Sequence, residues 1–329
     1  MKDISSLKDL PHYPVMLKQV LTACEPEKGG LFIDCTFGAG GYSNAILSFP
    51  KTKVIALDRD SHTEKYAINT KKKFKNRFKF HNLKFSDLNK VINKKIKADS
   101  IIFDLGLSSL QISNLKRGFS FNSREKLDMR MGLNSIGAQE VLNNLDLEKL
   151  SNIFRLFGEE KEAYKIAFNI VKQRNKKIIN SVPELVSIIR NSKKRNFKKK
   201  INISTQTFQA IRIFVNKEMT ELVEGLIAAT SLLKKGGKII IITFHSLEDR
   251  IVKFFFTNFS KNRSRGSRYF PEIEQKKILF ENYKNKIIRP NNNEIDNNHA
   301  SRSAKLRFAI RSKDSFFYPT DLKNKFFNY

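Results

Sequence analysis

The chain has 329 residues, of which 40% are hydrophobic and 11% aromatic, with 28 Phe and no Trp. This composition supports a full hydrophobic core and excludes an intrinsically disordered chain. The formal net charge of +30 favours a polyanionic partner such as nucleic acid, bound in a salt-dependent way. Part of this charge is expected to be compositional, because Lys, Asn, Ile and Phe are abundant together, as AT-rich coding produces.

Targeting signals are not evident. No apolar run approaches the roughly 18 residues that a membrane span needs. The first residues, MKDISSLKDLPHYP, lack the apolar centre of a signal peptide. The two cysteines, Cys24 and Cys35, are too few for a disulfide framework. We therefore expect a cytoplasmic protein without a membrane anchor.

The N-terminal part predicts a strand, a glycine-rich turn, a helix and a second strand. An apolar run at 31–33 ends at Asp34, the turn follows at 38–42 (GAGGY), and the next apolar run, 54–57, ends at Asp58. In open α/β sheets, ligands bind beyond the carboxyl ends of the strands, facing the loop N–H groups and the next helix. The second acid is placed to accept hydrogen bonds from a ribose, so we expect a nucleoside site.

The glycine spacing restricts which nucleoside this site takes. Ser43 stands where a dinucleotide fingerprint has its third small residue, and no Lys follows as in a P-loop. A turn of this kind suits a ligand without a diphosphate, such as S-adenosylmethionine. The alternative is a glycine turn that only connects the strand to the helix.

The alternation of strands and helices continues to residue 104. Further strands are predicted at 77–81 and at 100–103, which ends at Asp104, with helices between them. This order implies a parallel sheet with right-handed crossovers. The pattern then changes to consecutive helices, predicted at 138–145, 147–157, 160–174 and 183–190. We interpret 112–205 as an inserted all-helical subdomain, and 1–111 with 206–329 as the core.

The sheet is expected to resume after the insertion. The predicted elements are a helix at 207–233 ended by Gly236 and Gly237, a buried strand at 238–244, a helix at 247–256 and an edge strand at 305–310. Basic clusters at 71–73, 193–200 and 261–268 are candidate phosphate contacts.

Two segments at strand ends carry further polar groups. Asp104 begins a loop in which Ser108, Ser109 and Gln111 offer hydroxyl and amide partners, although a capped turn explains them equally well. His245 follows the central strand and is a candidate for the substrate pocket, with a structural role as the commoner alternative. The five His are scattered, so no metal site is expected.

Nine motifs occur in a fixed order along the chain. They are FIDCTFGAGGYS, ALDRD, FDLGLSS, RGFSF, LDMRM, GEE, TFQAIRIFVNKE, ITFHSLEDRIVK and SRSAKLR. Together they resemble the RsmH (MraW) family of bacterial small-subunit ribosomal RNA methyltransferases, from about residue 12 to residue 310.

This resemblance implies a class I, Rossmann-like α/β methyltransferase fold, with 112–205 as the substrate-recognition insertion. It implies methyl transfer from S-adenosylmethionine to the exocyclic N4 of a cytosine in the decoding region of 16S rRNA. The implied partner is 16S rRNA or the small ribosomal subunit. The oligomeric state is left open, with a homodimer as one option.

The resemblance also implies roles for particular residues. The turn of Ala39, Gly40, Gly41 and Tyr42 would pack against the methionine end of the cofactor. The remaining implied cofactor contacts are Asp58 at the ribose, Phe85 at the adenine, and Asp104 with Gln111 near the amino and sulfonium groups. Three positions depart from the commoner family pattern, namely Tyr42 in place of His, Leu110 in place of Pro, and His299-Ala300 in place of Pro and a basic residue.

The chemistry needs little beyond placement. The cytosine N4 lone pair is delocalised into the ring, so an acceptor for its N–H helps the nitrogen to attack, and Asp104 is the candidate. In-line placement should supply most of the rate, and the base must be unstacked to reach the pocket.

Two alternative functions stand beside this prediction. One is a basic RNA-binding assembly protein with a vestigial nucleotide site. The other is a DNA amino-methyltransferase, disfavoured because Asp-Pro-Pro-Tyr is missing.

Overall fold

The computed structural model describes residues 13–93, 95–193, 202–261, 277–281 and 283–326. Their Cα positions form two compact units, one made of the described residues up to Gly106 together with those from Met219 onward, the other of Leu107–Glu218. The sequence-derived insertion, 112–205, lies within the second unit, and its role in substrate recognition stays a prediction.

The first unit is built on a six-stranded sheet. The strands are β1 (Gly30–Asp34), β2 (Thr52–Asp58), β3 (Phe78–Asn82), β4 (Ala98–Asp104), β5 (Leu233–Thr243) and β6 (Lys305–Ile310). They are ordered β3-β2-β1-β4-β5-β6, and all neighbours are parallel except β5 and β6, which are antiparallel. This is the predicted Rossmann-like α/β sheet, with the predicted edge strand at 305–310.

Helices precede, connect and follow these strands along the chain. They are α1 (Leu17–Cys24), α2 (Gly41–Leu47), α3 (Glu64–Phe74), α4 (Leu88–Val91), α11 (Glu218–Leu232), α12 (Ser246–Asn258), α13 (Asn292–Asn297) and α14 (Thr320–Phe326). Among the described helices, none has the length and apolarity that a bilayer span requires.

Alternate residues of the strands face opposite sides of the sheet, and both sides are buried. Phe32, Ile102 and Ile240 pack with α1 and α2 in one core cluster, while Ile33 and Ile101 on the opposite side are fully buried as well. This double burial explains why the central strands read as continuous apolar runs, as is usual in parallel sheets.

A buried ion pair fixes the edge strand β6. Arg307 of β6 is 1% exposed and places its Nε 2.8 Å from Asp249 Oδ1 of α12. The same guanidinium donates to Tyr283 Oη at 2.9 Å and to Asn285 Oδ1 at 2.8 Å. A buried arginine needs this full set of acceptors, because an unpaired buried charge is strongly destabilising.

The second unit is helical. Its helices are α5 (Ser109–Ser113), α6 (Ala138–Asn144), α7 (Leu147–Gly158), α8 (Ala163–Arg174), α9 (Val182–Ser192) and α10 (Thr205–Asn216). Their buried side chains, such as Leu142, Phe154, Ile166, Ile189 and Ile211, form its interior. The four helices predicted between 138 and 190 are confirmed, with ends shifted by at most a few residues.

The long helix predicted at 207–233 is wrong, because the chain forms two helices there. Lys217 adopts a left-handed conformation, with φ of 51°, and ends α10. Arg212 forms a two-pronged ion pair with Glu218 across this break, with both N–O distances at 2.8 Å. A contact between side chains therefore stabilises a break that helix periodicity does not reveal.

The predicted glycine stop of that helix is also wrong. Gly236 and Gly237 lie inside β5, and the pairing of β5 with β4 shifts register between Ala98 and Ser100. A Cβ on Gly237 would lie 3.1 Å from the carbonyl oxygen of Ala98, so glycine permits the close approach at this irregularity.

Two of the predicted basic clusters fall largely outside the described residues. Residues 194–200 of the second cluster and 262–268 of the third lie outside the described part of the chain. Residues 71–73 form the last turn of α3 and are exposed, as expected for a phosphate-facing or solvated surface.

Asn216 connects two of the sequence motifs within the second unit. Its Nδ2 donates to Met129 O, and its Oδ1 accepts from Met131 N, each at 2.8 Å. Its side chain is fully buried. The amide of the last residue of α10 therefore supplies two of the backbone hydrogen bonds of the LDMRM segment.

We expect Asn216→Ala to lower the free energy of unfolding by roughly 2–3 kcal/mol, because it leaves a buried N–H and a buried carbonyl unpaired. Urea unfolding followed by circular dichroism measures this loss. Asn152→Ala is the matched control, because Asn152 is exposed and its side-chain oxygen accepts from the neighbouring Arg155, at 2.6 Å. Equal effects of the two substitutions would contradict the assignment.

Candidate functional site

The carboxyl ends of the parallel strands bring three acids to one edge of the sheet. Asp34, Asp58 and Asp104 end β1, β2 and β4. β1 pairs with β2 on one side and with β4 on the other, so the chain order reverses between β1 and β4. Ligands of open α/β sheets bind at such a switch point.

The glycine turn after β1 presents its backbone to this edge. Gly38 and Gly40 have φ of 55° and 84°, values that glycine adopts without strain. A Cβ placed on Gly38 would meet no atom within 4 Å, so the turn leaves open space at this point. Ala39 lies between these two glycines and is half-buried. The turn therefore connects β1 to α2 and also leaves room for a ligand beside its backbone.

The N-terminal segment lies against the other side of the turn. A Cβ on Gly41 would stand 2.3 Å from Pro14 Cγ, which no side chain tolerates without displacement. Gly41 is therefore required for packing at the first residue of α2, in addition to any ligand contact.

Asp58 holds the glycine turn in place. Its Oδ2 accepts from Gly38 N at 2.7 Å, and its Oδ1 accepts from Asp60 N at 2.9 Å. Burial raises the pKa of Asp58 to about 6, although both backbone hydrogen bonds favour the ionised form. Each carboxylate oxygen keeps a further lone pair, so Asp58 still has acceptor capacity for hydroxyl groups.

Asp34 is the most deeply buried of the three acids at this edge. It is fully buried, accepts from Ser43 Oγ at 2.7 Å and from Thr36 N at 3.2 Å, and so ties the strand end to α2. Burial raises the pKa of Asp34 to about 6, against the effect of these hydrogen bonds.

Asp104 is the acid whose hydrogen bonding is incomplete. Its backbone N–H donates to Thr36 Oγ1 at 2.8 Å, and its Oδ2 lies 3.2 Å from the hydroxyl of Tyr42. Its Oδ1 is buried and has no hydrogen-bond partner among the described residues. Burial raises the pKa of Asp104 to about 8, and the charges of Asp34 and Glu248 add to this rise.

Tyr42 connects Asp104 to the N-terminal segment. Its hydroxyl lies 2.5 Å from Val15 O as well as 3.2 Å from Asp104 Oδ2. A hydroxyl has one hydrogen to donate, so a protonated Asp104 donates to Tyr42 while Tyr42 donates to Val15. The buried carboxyl is thus accommodated in its neutral form.

Phe85 lies just beyond β3, at the start of the short 3₁₀ helix Phe85–Asp87. It is half-buried, and its ring meets that of Phe103 edge-to-face with centroids 5.4 Å apart. Phe103 directly precedes Asp104 in β4, so Phe85 packs against the strand that ends in the incompletely bonded acid.

Gln111 belongs to the helical unit and has a capping role there. Ser108 N donates to Gln111 Oε1 at 3.0 Å, while Ser108 Oγ accepts from Gln111 N at 3.3 Å, which forms a reciprocal capping box at α5. The capped-turn reading of this segment is therefore confirmed. The cofactor contact of Gln111 stays a prediction.

His245 precedes α12 and caps its N-terminus. Its Nδ1 accepts from Glu248 N at 3.4 Å. Its Nε2 lies 3.0 Å from Glu248 Oε1, at an angle outside hydrogen-bond geometry. This contact gives His245 a structural role at the strand end, and its catalytic role stays a prediction.

Two residues at this edge were not selected from the sequence. Thr36 supports the Asp104 backbone, and its position two residues after Asp34 was a usable signal. Val15 contributes only a carbonyl oxygen, to which the hydroxyl of Tyr42 lies 2.5 Å. A main-chain contact across 27 residues leaves no trace in side-chain patterns.

The chain is similar to known proteins over most of its length. The MraW methylase family model matches residues 9–312. Three relatives carry the name ribosomal RNA small subunit methyltransferase H. The protein from Ehrlichia canis is 43% identical over 91% of this chain and 99% of its own length. That from Rickettsia canadensis is 42% identical over 91% and 97%, and that from Agrobacterium fabrum is 40% identical over 92% and 87%.

Most of the chain is thus covered both by one family model and by relatives well above 30% identity. The glycine turn and the acids at the strand ends lie inside the matched residues. This chain belongs to the MraW methylase family.

Proposed function

We propose that this protein transfers a methyl group from S-adenosylmethionine to the exocyclic N4 of a cytosine in the decoding region of 16S rRNA. The observation that carries the proposal is the buried, unpartnered Oδ1 of Asp104 at the switch point of the sheet. Family membership supports methyl transfer, and the names of the relatives support small-subunit rRNA as the substrate.

The residues at the edge fit this cofactor. A buried carboxylate oxygen without a partner is costly unless a cationic or hydrogen-bonding ligand completes it. Asp104 Oδ1 meets this description, and the cofactor's sulfonium and ammonium groups are cations. The open space beside Gly38 leaves room for its methionine end along the turn of Ala39, Gly40, Gly41 and Tyr42.

The nucleoside end is assigned to the neighbouring strands. Asp58 would accept from the ribose hydroxyls with its remaining lone pairs, and the half-buried ring of Phe85 would lie against the adenine. Ligand contacts of Gln111 and a pocket-lining role of His245 belong to the same proposal. In both cases they come in addition to the capping contacts described above.

When bound, S-adenosylmethionine supplies an electrophilic methyl carbon. The protein's own contribution is to orient the target amine and to accept its hydrogen. An ionised Asp104 is the candidate acceptor, because an N–H···O hydrogen bond frees the N4 lone pair from the ring. The proton leaves N4 after methyl transfer, so a strong base is not required.

The RNA is proposed to contact the helical unit, residues 107–218. On α8, Tyr164 is 63% and Phe168 is 48% exposed, and Lys165 is exposed beside them. Exposed aromatic rings among lysines suit stacking on unpaired bases with phosphates nearby. The protein would act on ribosomal particles or rRNA in the cytoplasm.

The alternative with a specific observation in its favour is a basic RNA-binding assembly protein without catalysis. The net charge of +30 would serve that function equally well. Binding of S-adenosylmethionine distinguishes the two, because an assembly protein with a vestigial site has no requirement for it.

We expect the full-length protein to transfer radiolabelled methyl to small subunits, or to 16S rRNA, prepared from cells that lack the modification. Nuclease digestion and mass spectrometry should place the label on N4 of one cytosine. Asp104→Asn should reduce kcat/KM on the order of 100-fold, because the variant loses the charge and one of the two acceptor oxygens becomes an N–H donor.

Asp296→Asn is the control for this substitution, because Asp296 is an exposed acid on α13. Subunits that already carry the methyl group should take no label. Label on DNA alone, on protein, or on no substrate despite cofactor binding would overturn the proposed reaction.

The affinity for S-adenosylmethionine should rise with pH between about 6 and 8. In the free protein the pKa of Asp104 is about 8, so below that pH the carboxyl is mostly neutral. A cationic ligand favours the ionised form, and the dissociation constant should fall by up to roughly tenfold per pH unit until it levels off above pH 8.

Isothermal titration in buffers of different ionisation enthalpy measures this effect and the accompanying proton release. Asp104→Asn should abolish the part of the pH dependence that belongs to the protein, while titration of the ligand's own amine remains in both proteins. A wild-type dissociation constant that is flat from pH 6 to 8.5 would refute the role assigned to Asp104.

A further inference from the structure

The loop that carries Phe85 is held by one acid of α11. Ser86 Oγ donates to Glu221 Oε2 at 2.6 Å, and Lys84 Nζ lies 3.4 Å from Glu221 Oε1. The two oxygens of a single carboxylate therefore hold the residues on either side of Phe85. Glu221 is separated from this loop by 135 residues of sequence.

Glu221 is a charged residue at a buried position of α11. The buried positions of α11 are mostly apolar or small, with Met219, Leu222 and Val223 as its immediate buried neighbours. Glu221 is only 9% exposed. A carboxylate in such surroundings needs charged or hydrogen-bonding partners. Lys84 and Ser86 are such partners, through the ion pair and the hydrogen bond described above. The packing of the helix gives no other reason for an acid here.

Gly225 lies one helical turn further and faces the same loop. A Cβ at this position would stand 2.4 Å from Cδ2 and 2.9 Å from Cε2 of the Phe85 ring. Glycine in the middle of a helix costs about 1 kcal/mol relative to alanine. Contact with the ring explains why this cost is accepted in α11.

The ring of Phe85 is therefore fixed by three neighbours. Glu221 holds the flanking residues, Gly225 provides the space beside the ring, and Phe103 meets it edge-to-face at 5.4 Å. Phe85 stays half-buried, so part of its surface remains accessible. A ring fixed before binding offers a stacking surface without a further loss of conformational entropy.

We infer that Glu221 and Gly225 are positioning residues that fix Phe85 for recognition of the adenine ring. We call this pair the Phe85 clamp. The inference rests on the proposed function, because it assigns the adenine of S-adenosylmethionine to Phe85. The clamp sets the affinity for adenine nucleosides and does not take part in methyl transfer itself.

The first experiment measures binding of S-adenosylmethionine and of adenosine to the full-length protein by isothermal titration. Glu221→Ala should weaken both ligands by about tenfold, the factor expected for losing a hydrogen bond to a charged group. Glu221→Gln keeps an acceptor for Ser86 and should recover part of the affinity. Asp104→Asn should weaken S-adenosylmethionine but leave adenosine largely unaffected.

Glu224→Ala is the matched control on the same helix. Glu224 pairs with Lys323, at 3.0 Å, instead of with the lysine and serine that flank Phe85. In steady-state kinetics, Glu221→Ala should raise KM for S-adenosylmethionine and leave KM for the RNA unchanged. If Glu224→Ala loses as much affinity as Glu221→Ala, the loss reflects general damage to the helix, and the clamp is overturned.

The second experiment measures whether Gly225→Ala raises or lowers the melting temperature. Alanine is the better helix former, so Gly225→Ala should raise the melting temperature if nothing faces this position. The clamp predicts the reverse, with a lower melting temperature and weaker binding of both ligands. In a Phe85→Ala background the ring is absent, and Gly225→Ala should then stabilise the protein.

The results separate the clamp from the proposed function. If wild-type protein binds neither ligand, the proposed function fails and the clamp with it. If wild-type protein binds both ligands and Glu221→Ala and Gly225→Ala bind them equally well, the clamp alone is overturned. Stabilisation by Gly225→Ala in the wild-type background would overturn it as well.

Discussion

The placement of three carboxylates at one edge of the sheet, with Asp34 fully buried and Asp58 and Asp104 half-buried, is the constraint on which the site depends. Asp34 raises the pKa of both Asp58 and Asp104 by its charge, in addition to the larger effect of burial on each. Asp34 and Asp58 are satisfied by hydrogen bonds from the glycine turn and α2. Asp104 keeps one oxygen unpartnered. Of the three acids, Asp104 is thus the one whose hydrogen bonding within the described residues is incomplete.

Several motifs of the family have structural roles in this chain. Asn216, in the TFQAIRIFVNKE motif, completes the backbone hydrogen bonds of LDMRM. Asp249 and Arg307 come from two further motifs and form one buried ion pair between α12 and β6. A residue within a family motif can thus be required to maintain the fold, and its contacts show where this is the case.

The sheet was predictable because parallel strands are buried on both sides and read as apolar runs, each ending in a polar residue. The break at Lys217 was not, since a single left-handed residue depends on contacts such as Arg212 with Glu218. At the site, the acids and the glycine turn could be selected from local spacing. The contact of Tyr42 with a main-chain carbonyl and the hold of Glu221 on the Phe85 loop could not, because their partners are distant in sequence.

The hydroxyl of Tyr42 lies between the carboxyl group of Asp104 and the backbone of the N-terminal segment. With Asp104 neutral, the hydroxyl hydrogen of Tyr42 points to Val15 O, 2.5 Å away. Ionisation of Asp104 supplies a second, stronger acceptor for the same hydrogen at 3.2 Å. Ionisation of Asp104 would thereby weaken the hydrogen bond between Tyr42 and the residues that precede α1. The segment just before α1 is thus connected, through the hydroxyl of Tyr42, to the carboxyl group of Asp104.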